Sequence, residues 1–340
     1  MDEIPGSEAI TQLGTAFMGS KALFSAVELG VFAALADGPR NGTDLAEQVG
    51  LHPRSSRDFL DALVALGLLE REGEHYANTP TTDALLDPAK PSYIGGRVQL
   101  FNALCRSWDS LTEALRTGKP QNEFADKNTG GGEDFFSALY ADREWLEQFT
   151  AAMTAVSSDI GCVLAQKFPW DRYHTVMDIG TAQGGLPVQL ALRHPHLRGG
   201  GFDLPPVGPI FEAYVASFEL AARLRFHPGD MFTDELPAAD VLVMGHMLHG
   251  WDLAAKHMLL AKAHAALPAG GALIVYDAII DDDRRVNAAS LLRSLSLLLQ
   301  TPGGFEYTGA DCCGWMREAG FTRTYVEHLV GPERMVVGIK

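Results

Sequence analysis

Several short segments of this chain carry residues able to do chemistry, and each follows a run with the character of a β-strand. In VMDIGTAQGG, residues 176–185, an apolar run leads into Asp178 and then a glycine turn. A dinucleotide fingerprint G-x-G-x-x-G needs its second glycine where the backbone meets a pyrophosphate. Gly180 and Gly185 fit the outer positions, but Ala182 stands in the middle one. The turn therefore favours a ligand without a pyrophosphate that carries an amine and a carboxylate, using Asp178 for charge and the turn amides for hydrogen bonds. S-adenosylmethionine (SAM) is such a ligand, and NAD is the rival that Ala182 argues against. Asp203, 23 residues after Gly180, is spaced to accept hydrogen bonds from both ribose hydroxyls. Asp230 and Met231, in HPGDMF at 227–232, suit an adenine amino group and ring face, with a simple turn after Gly229 as the alternative.

The segment MGHMLHGWD, residues 244–252, holds two histidines, Trp251 and Asp252. His249 is the candidate general base. A free imidazole titrates near ~6.5 and a phenol near ~10, so complete proton transfer costs about 5 kcal/mol. For an aliphatic hydroxyl the mismatch is roughly 12 kcal/mol, so phenolic or enolic acceptors are preferred. Asp277 and Glu306, the latter in TPGGFEYT at 301–308, are candidates to orient the imidazole and favour its protonated form. A helix cap or a surface ion pair is the other reading of each. His246, His249 and Asp252 also offer nitrogen and oxygen at three-residue steps, which leaves metal-assisted C-methylation at an enolisable carbon as a rival chemistry. Arg293 is either a partner for a substrate carboxylate or a surface arginine.

These residues need a frame. From residue 174 onward, strands are expected at Thr175 to Ile179, Arg198 to Asp203, Leu224 to His227, Asp240 to Gly245 and Ala272 to Tyr276, with helices between them. That alternation makes a parallel sheet covered on both faces, with ligands outside the carboxyl ends of the strands. Upstream, residues 8–36 carry apolar residues at helical spacing up to Gly38-Pro39. A helix that Thr43 is able to cap comes next, then a third from near Pro53, then a hairpin turning at Glu72-Gly73. Helix, helix, helix, hairpin is a winged helix. Residues 40–75 hold more acidic than basic side chains, and the whole chain carries a net charge of −16 over 340 residues. Nucleic acid and anionic membranes are thereby disfavoured as partners, and with them a ligand-sensing, DNA-reading regulator. The glycine-rich stretch Gly118 to Glu133 reads as an exposed connection. Trp145, Phe149 and Met153 share one helix face, which on spacing alone is a core stripe. No leader and no apolar run of ~18 residues is evident, so a cytoplasmic location is expected. Four cysteines read as reduced thiols.

Taken in order, the winged-helix region, VMDIGTAQGG, GFDLP at 201–205, GDMF at 229–232, LHGWD at 248–252 and PGGFEYT at 302–308 resemble bacterial small-molecule O-methyltransferases related to the plant caffeate and isoflavone enzymes. The resemblance implies an α/β protein: a Rossmann-like SAM-methyltransferase sheet with an N-terminal, mostly helical winged-helix dimerisation domain. It divides the chain into a dimerisation domain at 1–95, a helical region lining the acceptor pocket at 96–160 and a SAM-binding catalytic domain at 161–340. It implies SAM as methyl donor, with S-adenosylhomocysteine as product, and an aromatic antibiotic precursor as acceptor. Asp178, Gly180, Asp203, Asp230, Met231 and Trp251 would then contact SAM, while His249 matches the base and Asp277 and Glu306 its acidic flanks. Trp145, Phe149 and Met153 match the acceptor-pocket helix, joined by His246, Arg293 and Leu297. A homodimer is implied, in which Phe17 and Met18 reach the partner's pocket. The chain departs from the pattern at Gly250, where many relatives have Asp, at Gly245, where the plant enzymes have Lys, and at Asp277, where Glu is usual.

Overall fold

The computed structural model describes residues 6–90, 92–121 and 139–340. The chain divides into two compact units, Met1–Arg106 and Ser107–Lys340. In the first unit the apolar run of residues 8–36 forms two helices, Ser7–Glu28 and Val31–Ala34, not one. Between them Gly30 takes φ +73°, a left-handed conformation that interrupts the helix. Asn41, and not Thr43, caps the next helix, Gly42–Gln48. Asn41 is extended and its side chain accepts the Thr43 N–H at 2.9 Å, which puts Thr43 inside the first turn. Helix Ser56–Ala65 follows, then the hairpin of β2 (Leu69–Glu72) and β3 (His75–Asn78), with β1 (Arg40–Asn41) paired to β3. This is the expected winged-helix arrangement. Val31, Phe32, Leu45, Leu60, Leu63, Leu69 and Tyr76 close its core. On the Ser7–Glu28 helix Ile10, Leu13, Phe17 and Met18 stay 57–80% exposed, an apolar stripe at helical spacing.

The second unit is built on a seven-stranded sheet of β4 (Thr175–Ile179), β5 (Arg198–Asp203), β6 (Leu224–Pro228), β7 (Val241–Gly245), β8 (Ala272–Ala278), β9 (Arg323–His328) and β10 (Glu333–Ile339). In space the order is β6-β5-β4-β7-β8-β10-β9. The five strands expected from sequence are parallel, but β10 pairs antiparallel with β8 and with β9, so the sheet is mixed. Strand alternation assigns the two faces. Met177, Ile179, Leu242, Met244, Leu273 and Val275 meet Leu259, Leu260 and Met316 from helices Leu253–Ala266 and Gly309–Glu318. Val176, Val241, Val243, Ile274, Tyr276 and Val337 meet Ile160, Leu164, Leu186 and Leu190 from helices Arg143–Lys167 and Gly185–Arg193. Strand order reverses between β4 and β7, which opens the crevice in which such sheets bind ligands. Gly118 ends the helix Leu111–Thr117 at φ +65°. Most of the connection expected from there to Glu133 lies outside the described residues.

Candidate active site

Acidic residues line the carboxyl ends of the parallel strands or the loops that follow, Asp178, Asp203, Asp230 and Asp277 among them. Asp178 on β4 is buried with no lysine or arginine in ion-pair range among the described residues, and burial pushes its carboxyl up to about 7. The turn after it runs through three consecutive-alternate left-handed residues, Gly180 (φ +74°), Ala182 (φ +50°) and Gly184 (φ +92°). A methyl at Gly184 would lie 2.7 Å from the Phe211 ring, so that position has room only for glycine. Four of the turn amides already have acceptors within the protein. Those of Gly180 and Thr181 donate to Phe202 O, that of Gly184 to Thr181 O, and that of Ala182 to Asp203 Oδ2 at 2.9 Å. Asp203 ends β5 and also accepts from Leu204 N–H at 2.8 Å and the Tyr140 hydroxyl at 3.1 Å, so its carboxylate is fixed in place before any ligand arrives. Asp230 adopts the turn role, accepting the Phe232 N–H at 2.8 Å. Beside it Met231 and Trp251 are half-buried, and Trp251 meets Phe232 edge to face.

On the other side of β7 the titratable residues converge. His249 Nδ1 lies 2.8 Å from Glu306 Oε1 and 3.2 Å from Asp277 Oδ1, and all three residues are buried. Neither carboxylate is a surface ion pair. Tyr307 donates its hydroxyl to Asp277 Oδ2. Arg293, from helix Ala288–Gln300, sets Nε 3.2 Å from Glu306, Nη1 3.2 Å from Glu333 and Nη2 3.0 Å from His246 Nδ1. Its guanidinium is thus engaged by three partners within the protein, although the side chain stays one-third exposed. Burial pushes Asp277, Glu306 and Glu333 each up to about 7. The imidazole of His249 moves the opposite way from the sequence expectation, down to about 4. Burial outweighs the attraction of Asp277, and Arg293 and Lys256 add repulsion.

The alternative metal set does not form. Asp252 caps helix Leu253–Ala266, accepting the Ala255 N–H at 2.8 Å. Donor atoms of His246, His249 and Asp277 do lie within 4.8 Å of one another. Arg293 and Glu306, however, already engage the two rings at Nδ1, so the arrangement is a hydrogen-bonded acid–base cluster.

Of the remaining expected residues, Trp145 and Phe149 pack on Leu139, Val188 and Phe211, Met153 is half-buried on the same helix, and Leu297 is buried on Ala288–Gln300. Phe17 and Met18 are exposed in the first unit. Several participants escaped sequence reading. Glu333 comes from a segment without a motif, and Tyr307 was passed over inside TPGGFEYT beside Glu306. Lys256 is fully buried, and its signal was a lysine on the apolar stripe Leu259, Leu260 and Ala263 of its helix. Tyr276 explains Gly245: a Cβ there would stand 1.9 Å from the Tyr276 ring, whose hydroxyl bonds Ser157. No neighbour lies within 4 Å of a Cβ added at Gly250.

An O-methyltransferase domain model matches residues 108–322, and an O-methyltransferase dimerisation domain model matches residues 11–88. The chain belongs to the O-methyltransferase family. It is 47% identical to the tetracenomycin polyketide synthesis 8-O-methyltransferase of Streptomyces glaucescens, over 99% of this chain and 98% of that one. It is 40% identical to an N,N-dimethyltransferase of Streptomyces rimosus, over 98% and 96%. Human N-acetylserotonin methyltransferase, solved in complex with SAM, superposes with a TM-score of 0.89 at 27% identity, covering 100% of this chain and 99% of that one. The protein is accordingly a SAM-dependent methyltransferase of the Rossmann-like type, and no helix among the described residues is long and apolar enough to cross a membrane.

The residues present fit that donor. Asp178 is a buried carboxylate without a cation, which an ammonium group would satisfy, and Asp203 is a preoriented acceptor at the neighbouring strand end.

Proposed function

We propose that this O-methyltransferase methylates a phenolic or enolic hydroxyl of an aromatic small molecule in secondary-metabolite biosynthesis, with His249 as general base. The observation that carries the reading is the contact between His249 Nδ1 and Glu306, backed by Asp277. Ionised carboxylates accept and do not donate, so they hold the imidazole proton on Nδ1 and leave the Nε2 lone pair to receive the acceptor's proton. With an imidazole near 4, full transfer from a phenol near ~10 costs about 8 kcal/mol, against roughly 16 kcal/mol from an aliphatic alcohol. Proton and methyl movement must therefore overlap, and acidic hydroxyls are favoured. Bound SAM supplies the methyl group as an electrophile on a cationic sulfonium.

Asp178 takes the amine end of the donor, Asp203 the ribose, and Asp230, Met231 and Trp251 the adenine. Gly180 lets the backbone approach. Trp145, Phe149, Met153, His246 and Leu297 shape the acceptor pocket, while Arg293 holds His246 and Glu306 in register. Two copies of the chain pair through the first unit, covering the Ile10, Leu13, Phe17 and Met18 stripe, in the cytoplasm. The 47% identical relative, named as an 8-O-methyltransferase of polyketide synthesis, supports a hydroxyl acceptor in secondary metabolism.

The test is the mass shift of phenols, hydroxy-aromatic acids and arylamines incubated with SAM and enzyme, wild type and His249→Ala. The variant should lose roughly two to four decades of turnover on phenols and retain SAM binding. Near wild-type turnover would remove His249 from the role of base, and methylation of the amines alone would replace the hydroxyl acceptor.

A further inference from the structure

Lysine is seldom fully buried, yet Lys256 is 0% exposed one turn into helix Leu253–Ala266. Its ammonium donates to Trp251 O and, at 3.5 Å, to His249 O, and it lies 3.7 Å from the Phe305 ring centroid. Phe305 in turn donates its N–H to His249 O at 2.9 Å. The turn bearing His249 and the segment bearing Glu306 are thus fastened to each other through one carbonyl, with the ammonium between them. The charged and titratable groups facing it are Asp277 from β8, Glu306 and Tyr307 from the following segment, Asp252 from its own helix cap and Cys312 from helix Gly309–Glu318. With Arg293, Lys256 sets two cations against the three carboxylates of Asp277, Glu306 and Glu333.

We propose that Lys256 is a positioning residue for the proton transfer: it ties the His249 turn to the Glu306 segment and, together with Arg293, supplies the positive charge that keeps Glu306 ionised, and hence His249 in its Nδ1–H form. The proposal rests on His249 being the base. Removing the ammonium makes Glu306 and Asp277 easier to protonate, and it also makes His249 easier to protonate. Each change takes the competent state away at the acid end. A unit charge at this range moves such groups by about one pH unit.

The experiment compares kcat against pH for wild type, Lys256→Met and Lys256→Gln, with SAM affinity measured by calorimetry. Both variants should lose about tenfold or more in kcat near neutrality, keep SAM affinity within about twofold, and shift the acid limb upward by about one pH unit. Lys256→Gln keeps a donor for the carbonyls without the charge, and it decides on the same criterion if the Met variant fails to fold. An acid limb at the wild-type pH, whatever the loss in kcat, overturns the proposal, since a merely structural lysine would leave it there. The two readings fail separately. A fully active His249→Ala enzyme sinks the base, whereas an inactive one beside an unshifted Lys256 limb sinks only the positioning role.

Discussion

Asp178→Asn isolates the buried carboxylate from everything else in the site. Asn has nearly the same shape, so the substitution removes charge and leaves packing intact. Burial raises the Asp178 carboxyl from 3.8 to about 7, and about three units at ~1.4 kcal/mol each make roughly 4 kcal/mol for ionising it inside the fold. Relaxation and water entry reduce that figure, so a gain of about 1–3 kcal/mol is expected for the unliganded variant above neutrality. The sign follows from proton linkage. Between about 4 and 7 the folded protein keeps a proton that the unfolded chain has released, so Asp178 lowers stability as pH rises through that window. The variant lacks this slope, and the difference between the two proteins should be near zero at pH 4 and fully developed at pH 8. The other raised carboxylates, Asp203, Asp277, Glu306 and Glu333, are common to both; Asp203 alone repels Asp178, and relief of that repulsion adds to the variant's gain in the same direction. Denaturant titrations at pH 4.5, 6 and 8 measure the difference, and calorimetry with SAM completes the test. Losing a charge-assisted contact with the donor's amine should weaken SAM binding about 10- to 100-fold. A variant no more stable at pH 8 than wild type, with unchanged SAM affinity, would refute both the unpaired charge and the amine site.

Two further substitutions probe the rest of the site. Arg293→Met strips the cation from Glu306 and Glu333 and should cost about 3 kcal/mol of stability at pH 8, less at pH 5.5 where those carboxyls hold protons; urea titration at the two pH values measures it, and an equal loss at both would exclude the ion pairs as the cause. Ala182→Gly relieves a side chain at φ +50° but adds unfolded-state freedom, so stability should stay within about 1 kcal/mol. Its amide still reaches Asp203, so SAM affinity should persist with no affinity for NAD. Tight NAD binding in calorimetry would show that the missing methyl group alone decides the cofactor.

The strand ends were legible because an apolar run and an acidic residue meet there. Continuous apolar runs mark strands such as β7 and β8, and the acidic residues sit at or one residue before the strand ends, so Asp178, Asp203 and Asp277 could be placed without any contact being known. Strand β9 was not legible on the same grounds, since RTYVEH carries too few apolar residues to announce a strand and pairs at the sheet edge only through β10, whereas the apolar run of β10 was overlooked. The engagement of four of the turn amides escaped the sequence for a related reason. A glycine-rich turn advertises backbone access, but whether its N–H groups face a ligand or the neighbouring strand depends on φ angles that the residue names leave open. Here the left-handed Ala182 turns its amide onto Asp203, so the carboxylate proposed to hold the ribose is also part of the turn's own structure.

The acid–base cluster shows a deeper limit. Charges of known sign along a sequence predict attraction, and His249 between Asp277 and Glu306 reads as an imidazole made more basic. What reverses the sign is depth. Complete burial penalises the imidazolium, and the same burial raises both carboxyls, so each partner offers less charge than its name suggests. Two cations then divide the carboxylates among themselves, and one of them, Lys256, belongs to a helix stripe that pattern alone marks as hydrophobic core. A lysine at a core position signals charge burial as clearly as a glycine after a strand signals a turn. In this chain it is the residue that links the position of the base to the charge of its neighbour.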